Sequence, residues 1–168
     1  VGGYSMDLQF EQPQKRVLEM IAWPGCRGVG FSMPCDTFAA NKLEDDDGPQ
    51  PDRDLDNPEG IPDANGQLSA NVATANVLLQ FCIEAMCLCI KHDVPFWFEH
   101  PPSRHAKSAF YIRGRERHAG IWDHLLMKMF LRNEGKVCTL IPMDQCMASK
   151  HGAPAKSQKT TMLLVFST

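Results

Sequence analysis

Residues 28–38 read Gly28-Val29-Gly30-Phe31-Ser32-Met33-Pro34-Cys35-Asp36-Thr37-Phe38, and this stretch decides the fold. Val29 to Phe31 is a short apolar run that stops abruptly, because the proline at 34 cannot donate to a sheet ladder. The pattern predicts a buried strand over 28–32, with the thiol of Cys35 just past its carboxyl end. In an open α/β sheet, the loop beyond a strand's carboxyl end is where ligands and chemistry collect. A cysteine there is either a nucleophile or a small buried apolar residue, since free cysteines are among the most buried types.

The same pattern recurs downstream. Val94-Pro95-Phe96-Trp97-Phe98 predicts a second buried strand, which runs into Glu99-His100-Pro101-Pro102. Between the two, residues 68–91 form the longest predicted helix: Val72, Leu79, Ile83, Met86 and Ile90 follow helical spacing. Its second half is apolar nearly all round, so it is expected to be covered on more than one side. Strand, helix, strand predicts neighbouring parallel strands with their carboxyl tips side by side. Cys35 and Glu99 are then expected to share one pocket.

Outward from this unit, residues 4–10 read as a weak strand or strand exit with Asp7 at its polar end. Residues 12–23 read as a short helix, with Pro13 in its first turn and Pro24-Gly25 ending it. Residues 38–67 form a long acidic Pro/Gly loop, containing Glu44-Asp45-Asp46-Asp47-Gly48-Pro49 and little that is apolar. A loop this long is a solvated linker or a mobile active-site loop, and its place after Cys35 favours the second. Residues 103–117 hold Arg104, Lys107, Arg113, Arg115 and Arg117, either a solvated surface or a phosphate-contacting patch. Ile121, Leu125 and Met129, with Trp122, Leu126 and Phe130, predict an amphipathic helix closed by Asn133-Glu134-Gly135. Strands over 136–141 and 161–166, with no helix between them, predict an antiparallel pair at the sheet edge.

The chain of 168 residues is read as one α/β domain with helices on both faces of its sheet, and 43% of it is hydrophobic. A net charge of −3 argues against a general basic field for gripping nucleic acid, though not against a local patch. Seven cysteines, an odd number with no Cys-x-x-Cys pair, fit reduced intracellular thiols and no structural zinc. No apolar run reaches the roughly 18 residues that span a bilayer, since Gln80 and Glu84 interrupt the most apolar window. Both ends look cut, which suggests a piece of a longer protein. A nuclear or cytoplasmic location is expected.

A Pro-Cys at one strand tip and a glutamate at the next resemble the cytosine-C5 DNA methyltransferases. Their nucleophile lies in a Pro-Cys motif, here Pro34-Cys35-Asp36-Thr37-Phe38, and their Glu-Asn motif would be Glu99-His100. A closer likeness is to divergent methyltransferase-like segments of phage and mobile-element polyproteins. The counterparts are Gly48-Pro49-Gln50-Pro51, Glu99-His100-Pro101, Asp144-Gln145-Cys146, Gly152-Ala153-Pro154 and Lys159-Thr160-Thr161. The resemblance runs from about Asp7 to Val165. It implies a partial Rossmann-like class I methyltransferase sheet, truncated because the family's glycine-rich cofactor loop and its following acid would precede Val1. An upstream part of the same polypeptide is therefore expected as a partner. The family's Gln-x-Arg-x-Arg support strand and its target-recognition domain have no counterpart.

The resemblance also implies a chemistry. The thiolate of Cys35 adds to C6 of cytosine and makes C5 enamine-like. Glu99 contacts the N3 edge and favours protonation there, a role suited to a buried carboxyl. The methyl group comes from S-adenosylmethionine, with Asp7 and Pro34 as its contacts. Phe38, His100, Arg104 and Lys159 are the expected contacts to a flipped DNA base and its strand, over which the 38–67 loop closes. Cys146 is a rival thiol. Two alternatives stand beside this reading: a non-catalytic Rossmann-like domain of a mobile-element polyprotein, and a cysteine hydrolase in which His100 pairs with Cys35.

Overall fold

A computed structural model of the chain describes residues 7–40, 48–146 and 158–167; side chains are described except at 144–146 and 158–159. The elements run α1 (Glu11–Ala22), β1 (Val29–Ser32), α2 (Ala70–Lys91), β2 (Phe96–His100), a 3₁₀ turn (Ile121–Asp123), α3 (Leu125–Glu134), β3 (Cys138–Cys146) and β4 (Gln158–Phe166). They form a mixed α/β fold around one four-stranded sheet of order β1-β2-β4-β3. β1 and β2 are parallel neighbours joined through α2, and β4 runs antiparallel to both β2 and β3.

The local chemistry explains the boundaries. Ser69 caps α2, its Oγ accepting from the Val72 amide at 3.3 Å. At the far end the His92 amide donates to the Leu88 and Cys89 carbonyls, and Asp93 turns left-handed at φ 54°. Aspartate is one of the few non-glycine residues that tolerate that region. The Val94 amide then returns to the Cys89 carbonyl, and the Pro95 carbonyl accepts from Val29, which starts the β1–β2 seam.

Register decides which side chains share a face. Phe31 pairs with Phe98 and Phe98 with Leu164, while Phe96 pairs with Phe166. These five side chains are buried, together with Ile21 of α1, Leu79, Ala85 and Met86 of α2, and Met127 and Phe130 of α3. All three helices thus contribute to one core on one face. The opposite face carries Gly30, Trp97 and Val165 in one row, then Ser32, Glu99 and Leu163. There Trp97 is 47% exposed. The expectation of helices on both faces is corrected accordingly: among the described residues they lie on one. Periodicity shows that a helix has an apolar stripe, not which side of a sheet receives it.

Three further boundaries differ from the sequence reading. Asp7 opens a turn into α1 rather than ending a strand: its Oδ1 accepts from the Gln9 amide at 2.9 Å. Residues 4–6 lie outside the described residues. The helix expected from Ile121 onward is interrupted at His124, whose extended backbone and Nδ1 cap a new helix by accepting from the Leu126 amide. The interruption rotates the stripe, so Met127 and Phe130 are buried while Leu125 and Met129 are about half exposed. β3 continues through Pro142 because it is an outer strand, where a missing amide donor is tolerated.

α2 is long and apolar enough to cross a membrane, its most apolar window having a mean hydropathy of 1.7. In this fold it is the central core helix, in contact with α1 and α3, with Leu79, Ala85, Met86 and Cys89 fully buried.

Candidate active site at the ends of β1 and β2

The parallel register sets Ser32 beside Glu99, the last pair of the β1–β2 ladder. Ser32 Oγ donates to Glu99 Oε2 at 3.2 Å. From the next strand, Thr161 Oγ1 donates to Glu99 Oε1. The two strands flanking β2 thus each place one hydroxyl against the Glu99 carboxylate. Glu99 is half-buried, Ser32 exposed and Thr161 fully buried. Cys35 follows Ser32 by three residues, a free and half-buried thiol. Its carbonyl accepts from the Phe38 amide at 2.9 Å, so the thiol sits at the start of a tight turn.

That turn is held from below by a buried arginine. Arg53 is 1% exposed, and its guanidinium lies 3.9 Å from the Phe38 ring centre. It donates to Thr37 Oγ1 at 3.3 Å, to the Pro58 carbonyl at 2.9 Å, to Asn76 Oδ1 at 2.9 Å and to the Val72 carbonyl at 3.5 Å. Burial pulls its pKa down to about 10, against the opposing pull of Asp52 and Glu59. Asn76 Nδ2 in turn donates to the Glu59 carbonyl at 2.8 Å, and Glu59 Oε1 accepts from the Leu125 amide at the start of α3. Gly60 turns the chain here at φ 126°, where a Cβ would meet Val72 Cγ1 at 2.4 Å. Residues 53–60 are therefore docked against α2 and α3. The acidic run 44–47 lies outside the described residues.

His118 ties this floor to the basic segment. Its Nδ1 accepts from the Arg104 amide at 3.0 Å, so Nε2 carries the proton and faces the Phe38 carbonyl at 3.0 Å. Burial lowers its pKa. Phe38 and His100, expected on the substrate, are both core residues. Phe38 is 1% exposed with its ring against Arg53, and His100 is 0% exposed against Phe38, with ring centres 5.6 Å apart. The physical reason for His100 is that β2 runs through it. Alternation therefore aims it to the same side as Phe96 and Phe98, and Glu99 to the other. The same alternation removes the basis for a hydrolase relay through His100.

Of the basic residues expected on phosphates, Arg104 and Arg115 are engaged inside the fold and Arg117 is ion-paired at the surface, while Lys107 and Arg113 are exposed. Arg104 Nη1 donates to the Phe110 carbonyl at 3.1 Å, and partial burial lowers its pKa. Arg115 Nε donates to the Ala40 carbonyl at 2.5 Å. Arg117 bridges Asp54 at 2.7 Å and Asp56 at 2.6 Å. The side chains of Lys159 and Cys146, and the Gly152-Ala153-Pro154 motif, lie outside the described residues. One nearby cluster contains serine, aspartate and histidine: Ser103 Oγ donates to Asp123 Oδ2 at 2.5 Å, and His105 Nε2 is 3.5 Å from Asp123 Oδ1. Here the carboxylate stands in the middle. A nucleophilic relay needs the imidazole between hydroxyl and carboxylate, so this cluster braces the loop.

Of the expected methyl-donor contacts, Pro34 lines a cavity, and Asp7 lies two residues before Gln9, which reaches one of that cavity's lining residues. The cavity is about 110 Å³ and is lined also by Asp36, Thr37, Asn71, Thr74 and Leu78. Thr74 Oγ1 donates to Gln9 Oε1 at 3.2 Å, which brings the Asp7–Gln9 turn to that rim. Sites for whole small molecules hold roughly 300–1,000 Å³. The cavity beside Pro34 is therefore too small by itself to enclose S-adenosylmethionine.

Comparison of the chain with protein-family models, with curated proteins and with solved structures returned no match.

Proposed function

We propose that the chain is a domain of the cytosine-C5 DNA methyltransferase type, with a partial Rossmann-like class I sheet. The observation that carries this reading is the parallel β1–β2 pair, with Pro34-Cys35 beyond one strand and Glu99 at the last paired position of the other. The antiparallel β3–β4 pair supports it, because the last two strands of the family are antiparallel. Cys35 is the nucleophile and Glu99 the partner of the ring's N3 edge. The methyl donor is of the S-adenosylmethionine class. DNA is the partner, and the cell interior the location.

One half-reaction needs only the chain's own residues. The Cys35 thiolate forms a C–S bond to C6, and the C5=C6 electron pair moves toward C5 as Glu99 shares a proton with N3. C5 takes a proton from solvent, gives one up, and the re-forming double bond expels the thiolate. Nothing is oxidised, and the cytosine returns with its C5 hydrogen exchanged. In D₂O, a single-stranded oligonucleotide containing cytosine is expected to gain deuterium at C5 with the intact chain and not with Cys35→Ser. Mass spectrometry reads the difference. Equal incorporation by both proteins removes Cys35 from the chemistry.

The small cavity beside Pro34 and the internally engaged arginines favour a second reading, a non-catalytic Rossmann-like domain of a mobile-element polyprotein. Absence of exchange with the intact chain is its expected result.

A further inference from the structure

We infer that Ser32 and Thr161 are positioning residues that fix the plane of the Glu99 carboxylate; this inference rests on the functional reading above. The three side chains come from β1, β4 and β2, three neighbouring strands of one sheet. Register sets Ser32 opposite Glu99. Thr161 lies one step beyond Met162, the partner of His100, and so on the Glu99 face.

Each oxygen of the carboxylate has its own hydroxyl donor, Thr161 on Oε1 and Ser32 on Oε2. A carboxylate held at one oxygen can still rotate about its last bond. Held at both by groups on different strands, it cannot turn without breaking a hydrogen bond. The two ends differ in surroundings: Thr161 is 0% exposed, whereas Ser32 is exposed. Oε1 is thus the buried anchor, and Oε2 is the oxygen left facing outward. A carboxylate oxygen accepts more than one hydrogen bond, so Oε2 keeps capacity for a ring N–H while Ser32 holds it in place. Both donors are neutral. They orient Glu99 without adding the fixed positive charge of an arginine.

The test compares Thr161→Val, Thr161→Ser and Ser32→Ala in the full chain. The first readout is the ¹³C resonance of the labelled Glu99 carboxyl at neutral pH, which needs no activity. It is expected to move in Thr161→Val and in Ser32→Ala, and to return to its native position in Thr161→Ser, which restores the hydroxyl. The second is C5 deuterium incorporation into the same oligonucleotide. Thr161→Val is expected to slow it about 10- to 100-fold, the worth of a hydrogen bond to a charged group, with Thr161→Ser close to native. If Thr161→Val does not fold, Ser32→Ala, at an exposed position, still reports on the clamp. A Glu99 resonance that is unmoved in the variants overturns the inference. A resonance that responds as expected in a chain without any exchange supports the clamp and counts against the methyltransferase-type reading.

Discussion

Arg53→Ala is expected to lower the unfolding free energy by about 4 kcal/mol. The substitution leaves Thr37 Oγ1, Asn76 Oδ1 and the Pro58 and Val72 carbonyls without the donor that now serves them. It also uncovers the Phe38 ring. Unsatisfied buried acceptors cost about 1–3 kcal/mol each when water cannot replace the donor. Some relaxation and hydration bring the sum down to the figure given. For a chain of this size the melting temperature should fall by roughly 10 °C. Arg53→Lys should recover only part of the loss, because one ammonium cannot serve acceptors spread around a planar fork. Urea denaturation of the three proteins measures this. A loss below about 1 kcal/mol would mean that the loop is not held by Arg53.

The second large effect is acid lability centred on His124. This ring is 2% exposed, and burial together with the nearby Arg53 charge pulls its pKa down to about 4, while Glu59 pulls the other way. Its Nδ1 is already committed as the acceptor that caps α3. In the unfolded chain the imidazole titrates near the ordinary value of about 6.5. Between these two values the unfolded state binds the proton and the folded state does not. Stability therefore falls as the pH drops through that window, and the full contribution holds only above it. The contribution is about 3 kcal/mol in all, of which about 2 should be lost between pH 6.5 and 5. His118, also lowered by burial and also accepting a backbone amide, adds in the same direction. His124→Asn keeps a capping side chain but cannot titrate. Its stability measured against pH should be flatter than native over that range by about the same 2 kcal/mol. Parallel curves would remove His124 from the acid response. The interval from pH 6.5 to 5 stays above the carboxylate range, so Asp63 and Glu116, both held low by hydrogen bonds, do not contribute there.

Much of the scaffold was legible in the chain because apolar spacing carries it. The runs ending at Ser32 and Phe98 are short, β-rich and stopped by polar residues, and the stripe through Leu79 and Met86 repeats at helical spacing. The positions of Cys35 and Glu99 at neighbouring strand ends followed from that pattern. What escaped the reading was polar. Arg53 sits in a segment with few apolar residues, and its partners are carbonyls and amides separated from it in sequence. No periodicity marks such a residue. The arginines at 104, 115 and 117 looked like a patch for phosphates because composition counts charges without showing which acceptors the fold supplies. Thr161 and Ser32 acquire meaning only from register, which joins β1 to β2 and β2 to β4 across long stretches of chain. His124 was hidden for the opposite reason: the apolar residues on both sides of it keep helical spacing although the helix restarts there.

The acceptors of Arg53 have a bearing on the order of folding. Thr37, Pro58, Val72 and Asn76 come from the turn after β1, from the loop itself and from the first turns of α2. Thr37 on one side and Val72 and Asn76 on the other are brought together only when that turn and α2 meet. With most of its partners distant in sequence, Arg53 is expected to form its contacts after the main barrier, so Arg53→Ala should speed unfolding and leave the folding rate nearly unchanged in stopped-flow kinetics. Interactions formed after the barrier hold the native state by slowing its escape rather than by hastening its formation. Arg53 is in that sense a latch on the finished molecule, set directly beneath the turn that carries Cys35.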